Sequence, residues 1–215
     1  MTRIKHCGIT SVQDAELAAD AGAWALGMIF WPGSPRACDP ATAVEISRRL
    51  RRRAEIVGVF VNQPLDEIAT YAEEMPLSIV QLHGDEGPSF CTEVARRTGA
   101  KVIKAASVGS RSDLQALQAF RNADFHMVDA RVEGMRGGTG QVVDWDLVAT
   151  RFSPVPLILS GGLTPENVGD AIDRVRPWAV DVASGTESAP GVKDPAKLQE
   201  LCAAVQAVDA EVPAA

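Results

Sequence analysis

Eight short apolar runs alternate with eight amphipathic stretches along the whole 215-residue chain, and no Pro/Gly-rich linker divides them. The last two runs each end in a turn of small residues. Together these features predict an α/β fold of the (β/α)8 barrel type, with eight parallel strands. The strands are expected at 3–7, 25–30, 56–61, 78–82, 101–105, 124–129, 155–160 and 178–183. The helices are expected near 12–21, 41–52, 65–74, 89–98, 111–120, 145–151, 166–174 and 195–207. A doubly wound open sheet would carry a Gly-rich dinucleotide turn after its first strand, and Cys7-Gly8-Ile9-Thr10 is no such turn. One domain over 1–208 is expected, followed by a frayed tail over 209–215.

In the first strand side chains alternate, so Lys5 and Cys7 share one face while Ile4 and His6 share the other. If Cys7 points into the barrel mouth, His6 faces the helix layer. Ser11 with Asp14 reads as a helix N-cap with an acidic first turn, and Gly22 as the left-handed stop of that helix. Asp39-Pro40 is a second N-cap with proline at the first helical position. The run Arg48-Arg49-Leu50-Arg51-Arg52-Arg53 ends that helix, where cations complement the dipole and face water.

In the sixth strand Asp129 shares its face with Met127, and His126 points outward with Val128. His6 and His126 are thus read as core residues and not ligands. The stretch from Ala130 to Val143, with Gly134, Gly137, Gly138 and Gly140, is the longest without periodicity and reads as a binding loop or lid. The seventh and eighth strands end in Leu157-Ile158-Leu159-Ser160-Gly161-Gly162-Leu163 and Ala179-Val180-Asp181-Val182-Ala183-Ser184-Gly185. Bare N–H groups at such turns, beside a helix N-terminus, form an anion site without side-chain charge. Two on consecutive units suggest one phosphate between loops 7 and 8, with a short helix starting near Ser184. Strands 1 and 8 are neighbours in a closed barrel, so an inward Lys5 is expected to pair with Asp181.

The net charge of −7 argues against a nucleic-acid partner. No run reaches membrane-spanning length and no signal region opens the chain. Cys7, Cys38, Cys91 and Cys202 are scattered without C-x-x-C spacing, which suits reduced thiols in the cytoplasm. A carboxylate–imidazole metal site needs several converging ligands, and only His83 and Asp129 are placed for one, so neither metal nor cofactor is expected.

Chemistry in such a barrel sits at the C-terminal ends of the strands. Read in order, those ends offer Cys7, Arg36, His83, Asp129, Ser160-Gly161-Gly162 and Ser184-Gly185. The ordered motifs Lys5-His6-Cys7-Gly8-Ile9-Thr10, Ser34-Pro35-Arg36, Gln81-Leu82-His83-Gly84, Val128-Asp129, Gly137-Gly138-Thr139-Gly140, Leu159-Ser160-Gly161-Gly162-Leu163 and Asp181-Val182-Ala183-Ser184-Gly185 resemble phosphoribosylanthranilate isomerase over nearly the whole chain. The resemblance implies an Amadori rearrangement in tryptophan biosynthesis, on a small phosphoribosyl substrate, by a monomer or homodimer. It implies Asp129 as general acid and Cys7 as general base. It implies Arg36, His83 and Gly8 at the substrate, Arg36 on the anthranilate carboxylate, and Gly161, Gly162, Asp181, Ser184 and Gly185 at the phosphate.

Three positions depart from the family's usual pattern. His6 stands where an apolar residue is common, Ala183 where serine or asparagine is, and Val143 where phenylalanine is. Neither the catalytic lysine and glutamate expected of indole-glycerol-phosphate synthase nor the metal ligands of a sugar-phosphate epimerase stand at the strand ends. A barrel that only bound phosphosugars would have no need of Cys7 and Asp129. Working together, that pair needs a thiolate beside a neutral carboxyl, a state populated only on the order of 10⁻⁵ at unperturbed pKa values. The site is therefore expected to desolvate Asp129 or to place positive charge near Cys7.

Overall fold

Strand pairing carries the alternation into a closed ring. The computed structural model describes residues 1–130 and 142–211. Strands β1 (Arg3–Cys7), β2 (Ala25–Ile29), β3 (Glu55–Phe60), β4 (Ile79–Leu82), β5 (Lys101–Val108), β6 (Phe125–Ala130), β7 (Leu157–Leu159) and β8 (Ala179–Val182) pair in chain order, and β8 returns to β1. Between them run α1 (Val12–Asp20), α2 (Pro40–Leu50), α3 (Leu65–Glu74), α4 (Pro88–Thr98), α5 (Arg111–Leu117), α6 (Trp145–Ala149) and α7 (Val168–Val175), and α8 (Pro195–Glu211) follows the barrel. β7 is shorter than its apolar run because Pro154 and Pro156 bring no N–H to its start.

Two features differ from the sequence reading. Residues 209–211, expected in the tail, continue α8, and Asp209 accepts bonds from Thr2 N (2.6 Å) and Thr2 Oγ1 (3.1 Å). After β8 come a 3-10 turn (Ser184–Thr186) and a small hairpin, β9 (Glu187–Ala189) with β10 (Val192–Lys193). The turn lies where a short helix was expected, but the hairpin is too short for periodicity to reveal. Gly134, Gly137, Gly138 and Gly140 lie outside the described residues, as do residues 212–215.

The strand parity holds. Cys7, Ala25, Val57, Ile79, Ile103, Met127, Ile158 and Ala179 form the inner core. Its N-terminal end is closed by Trp24, Phe125 and Trp178, with ring centroids 4.7–5.8 Å apart. Two larger apolar clusters lie between barrel and helices, and each fully buried aliphatic side chain there contributes roughly 1.5–3 kcal/mol. Ser11 Oγ accepts from Asp14 N (3.1 Å) and Asp39 Oδ2 from Thr42 N (3.0 Å), as their sequences require. Gly22 takes φ +97°, and the arginine run lies at the surface, where Arg49 and Arg53 tie α2 to Glu16 and Asp20 of α1.

His6 and His126 do face the helix layer. His126 Nε2 donates to Phe120 O (3.1 Å) and its Nδ1 accepts from Arg151 Nη2 (2.9 Å); burial pushes its pKa down to about 4. His6 is fully buried, with Nε2 3.9 Å from Cys202 Sγ and no partner for Nδ1 among the described residues. Burial, then Lys193 and Lys5, push it down to about 3. Both rings fold neutral, so the unfolded chain takes up protons that the folded chain refuses once pH falls below 6.5. Their stabilisation is complete above that pH and is lost as pH falls toward 3–4. His6→Leu should therefore flatten the acid dependence of stability, measured by urea unfolding between pH 7 and 4. An unchanged slope would acquit His6.

Candidate active site

The inward residues at the C-terminal ends of the strands converge on one pocket. Cys7, Arg36, His83, Asp129, Ser160 and Asp181 line it, and Ile29, Trp31, Pro35, Val59 and Val61 supply an apolar wall. Asp129, at the end of β6, is buried, and its Oδ1 accepts from Ala130 N (2.8 Å). Burial holds its carboxyl above the usual range, against the lowering influence of His83. His83 Nε2 stands 3.7 Å from Asp129 Oδ2 and has no hydrogen-bond partner among the described residues. Gln81 Nε2 lies 2.9 Å from His83 Nδ1. The Gln81 amide and the ring thus share one hydrogen bond, and the other ring nitrogen, Nε2, faces Asp129. Burial keeps that ring neutral, lowering its pKa below 6.5.

Across the mouth, Lys5 Nζ donates to Asp181 Oδ1 at 2.6 Å, and both side chains are almost entirely withdrawn from water. Lys5 and Asp181 are register partners on β1 and β8. Burial alone would lower the ammonium, but the Asp181 carboxylate, then Cys7, raise it, so it stays charged. A Cβ on Gly27 would lie 3.0 Å from both Lys5 Nζ and Cys7 Sγ, so amine and thiol both border the space that this glycine leaves. The charge near Cys7 was expected to lower its pKa. The net shift is upward, because burial outweighs Lys5 and Asp181 adds its own repulsion. The rise of Asp129 narrows the gap between the two groups, and the rise of Cys7 widens it.

At the end of β7, Gly161 and Gly162 take φ +93° and +63°, a left-handed pair that residues with a Cβ adopt only at a cost. Asn167, which the sequence reading passed over, spans this turn: its Nδ2 donates to Gly162 O (2.9 Å) and its Oδ1 accepts from Thr164 N (2.9 Å). The next turn packs directly on it, since a Cβ on Gly185 would fall within bonding distance of Leu163 O. The N–H groups of Gly162, Ser184 and Gly185 donate to no acceptor among the described residues. Asp181, grouped with the phosphate residues in the sequence reading, is placed otherwise. Its carboxylate bonds Lys5 and accepts from Ser160 Oγ (3.3 Å), and a second anion beside it would be repelled.

Arg36 follows β2 and reaches the pocket, but it does not stand free. Its Nε and Nη2 grip Glu187 of β9 at 2.9–3.0 Å. Gly8, expected at the substrate, lies under that pair: a Cβ there would meet Arg36 Cδ at 2.8 Å. Glu187 was not singled out from the sequence, since a glutamate in a short hairpin carries no local signal. No cluster of residues able to hold a metal occurs among the described residues.

Fold and site together define the class, a barrel enzyme with its chemistry at the C-terminal mouth. Comparison with known proteins narrows the class. The family model "N-(5'phosphoribosyl)anthranilate (PRA) isomerase" matches residues 4–204, and the chain belongs to that family. It is 48% identical over 203 residues to the N-(5'-phosphoribosyl)anthranilate isomerase of Geotalea uraniireducens, covering 94% of this chain and 97% of the relative. It is 46% identical over 201 residues to that of Geobacter sulfurreducens, covering 94% and 97%. The phosphoribosyl anthranilate isomerase structure from Thermotoga maritima superposes with a TM-score of 0.88 at 38% identity, covering 96% of this chain and all of that one. A structure of such an isomerase in complex with reduced 1-(o-carboxyphenylamino)-1-deoxyribulose 5-phosphate gives 0.85 at the same identity and coverage.

Removing one partner of the Lys5–Asp181 pair strands a buried charge. Lys5→Met is expected to cost about 3–5 kcal/mol in urea unfolding. Lys5→Met combined with Asp181→Leu should recover most of it. A double variant as unstable as the single would show that the pair's charge is not the source.

Proposed function

We propose that this pocket carries out the Amadori rearrangement of N-(5'-phosphoribosyl)anthranilate with Asp129 as general acid and Cys7 as general base. The activity is that of the family, an isomerisation in tryptophan biosynthesis. Asp129 gives its proton to the furanose oxygen as the C1–O bond breaks, and the nitrogen lone pair closes a C1=N iminium. Cys7 then takes the C2 proton, and the C–H electrons form an enolamine that tautomerises to the ketone, 1-(2-carboxyphenylamino)-1-deoxyribulose 5-phosphate. The observation that carries this reading is the shared burial of Asp129 and Cys7 at strand ends lining one pocket. An acid whose pKa is raised by burial stays protonated closer to working pH.

The substrate's phosphate is assigned to the N–H groups of Gly162, Ser184 and Gly185, and its carboxylate to Arg36. Charge-assisted bonds of this kind contribute roughly 1.5–3 kcal/mol each, so a few dominate ground-state binding. His83 lies within reach of both Asp129 and the substrate. The Thermotoga maritima neighbour includes a dimeric form and monomers generated from it.

Turnover requires Asp129 protonated and Cys7 ionised at once, so kcat/KM should be bell-shaped in pH. Its acidic midpoint belongs to Asp129 and lies above the ordinary carboxylate value of 3.8, and its basic midpoint belongs to Cys7 and lies above 9.0. Below the first midpoint every Asp129 is protonated and the rate follows the thiolate fraction. Cys7→Ser should therefore remove the acidic limb along with most activity, and Asp129→Asn the basic limb along with nearly all of it. The assay is loss of anthranilate fluorescence against pH. Near-normal turnover in both variants would refute the assignment.

Gly185→Ala tests the phosphate turns, because its Cβ must push Leu163 away. Affinity for the reduced phosphorylated product should fall at least tenfold, while the dephosphorylated analogue loses nothing. Equal losses for both ligands would place the phosphate elsewhere.

A further inference from the structure

The ion pair between Arg36 and Glu187 does more than neutralise charge. A guanidinium offers several planar edges, and Glu187 takes the side edge: Arg36 Nε lies 2.9 and 3.0 Å from Glu187 Oε1 and Oε2, and Nη2 lies 2.9 Å from Oε2. That leaves the end edge, Nη1 with the second hydrogen of Nη2, for a second planar carboxylate. Arg36 is only 12% exposed and Glu187 only 4%, so neither side chain swings freely in water. The apolar wall of Ile29, Trp31 and Pro35 lies in the same pocket, at a place suited to the ring that would carry such a carboxylate.

Glu187 is itself held. Lys193 Nζ stands 3.6 Å from Glu187 Oε1, and Lys197 Nζ donates to the Glu187 carbonyl (2.8 Å). Lys193 Nζ also donates to Ala183 O (2.9 Å) and Thr186 Oγ1 (3.3 Å), which ties the same carboxylate to the turn that follows β8. The hairpin bearing these residues is moored to the barrel by Asp14 Oδ2, which accepts from Lys193 N (3.2 Å), and by Thr10 Oγ1, which donates to Gly191 O. Gly8, at φ +74°, leaves the room that lets Arg36 and Glu187 approach.

We infer that Glu187 is a positioning residue that gives this site its selectivity for a carboxylate-bearing aryl substrate, by fixing the guanidinium of Arg36 with its end edge toward the pocket. The inference rests on the reading that Arg36 meets the substrate carboxylate.

The test compares two ligands, reduced 1-(o-carboxyphenylamino)-1-deoxyribulose 5-phosphate and the same molecule without its ring carboxylate. Binding is measured by calorimetry on the wild type, Glu187→Ala, Glu187→Gln, Arg36→Met and the Glu187→Ala/Arg36→Met double variant. Glu187→Ala should bind the carboxylated ligand at least tenfold more weakly and the other within twofold of wild type. Its KM should rise by a similar factor while kcat changes less than threefold. Glu187→Gln, isosteric and still able to accept one bond, should fall between, and it serves if the alanine variant is misfolded by circular dichroism. The double variant should bind no more weakly than Arg36→Met alone. If Glu187→Ala binds the carboxylated ligand as well as or better than wild type, Glu187 competes with the substrate and the inference falls. Equal losses for both ligands would overturn it too. If Arg36→Met fails to discriminate between the ligands, the reading of Arg36 fails first; if it discriminates and Glu187→Ala does not, only the role of Glu187 is lost.

Discussion

The buried pair of Lys5 and Asp181 is the constraint around which the mouth of the barrel is arranged. Closure sets β1 beside β8, the pleat turns both side chains inward, and the register puts them opposite each other. Neither charge could be left there alone, because burying an unpaired ion costs several kcal/mol. Once paired, they organise three strand ends. The ammonium and Cys7 both border the space left by Gly27, and the carboxylate accepts from Ser160 at the end of β7. An ion pair of this kind is weak evidence for stability, but it fixes which charges stand near the thiol.

Burial acts on Asp129 and Cys7 in the same direction, with opposite consequences for the roles proposed for them. It raises Asp129 and so favours the protonated form that an acid needs. It also raises Cys7 and so disfavours the thiolate that a base needs, with Lys5 offsetting only part of the effect. The Cys7 thiol thus lies beside the Lys5 ammonium. Gln81 holds the His83 ring by a hydrogen bond at Nδ1, which turns its Nε2 toward Asp129.

The segment after β8 joins functions that lie apart in the chain. Its first turn leaves backbone N–H groups of Ser184 and Gly185 without acceptors among the described residues. Its hairpin brings Glu187 against Arg36, which follows β2, and Lys193 against the same Glu187. Tight packing of Gly185 on Leu163 means that the two glycine turns cannot shift independently.

The chain by itself determined the barrel, because periodicities of two and 3.6 residues are local and survive without any partner. Parity within a single strand also placed His6 and His126 in the helix layer and Lys5 and Cys7 in the lumen, and barrel closure then made Lys5 and Asp181 neighbours. Strand-end position, read with the resemblance, brought out Cys7 and Asp129. Tertiary structure alone decided what those groups feel. The upward shift of Cys7 is a balance of burial against charges on other strands, the place of Asp181 depends on Lys5 and Ser160, and Glu187 reaches Arg36 across 151 residues of chain. Such contacts have no period and no local motif. They exist only once closure brings distant strand ends within a hydrogen-bond length and removes the water between them.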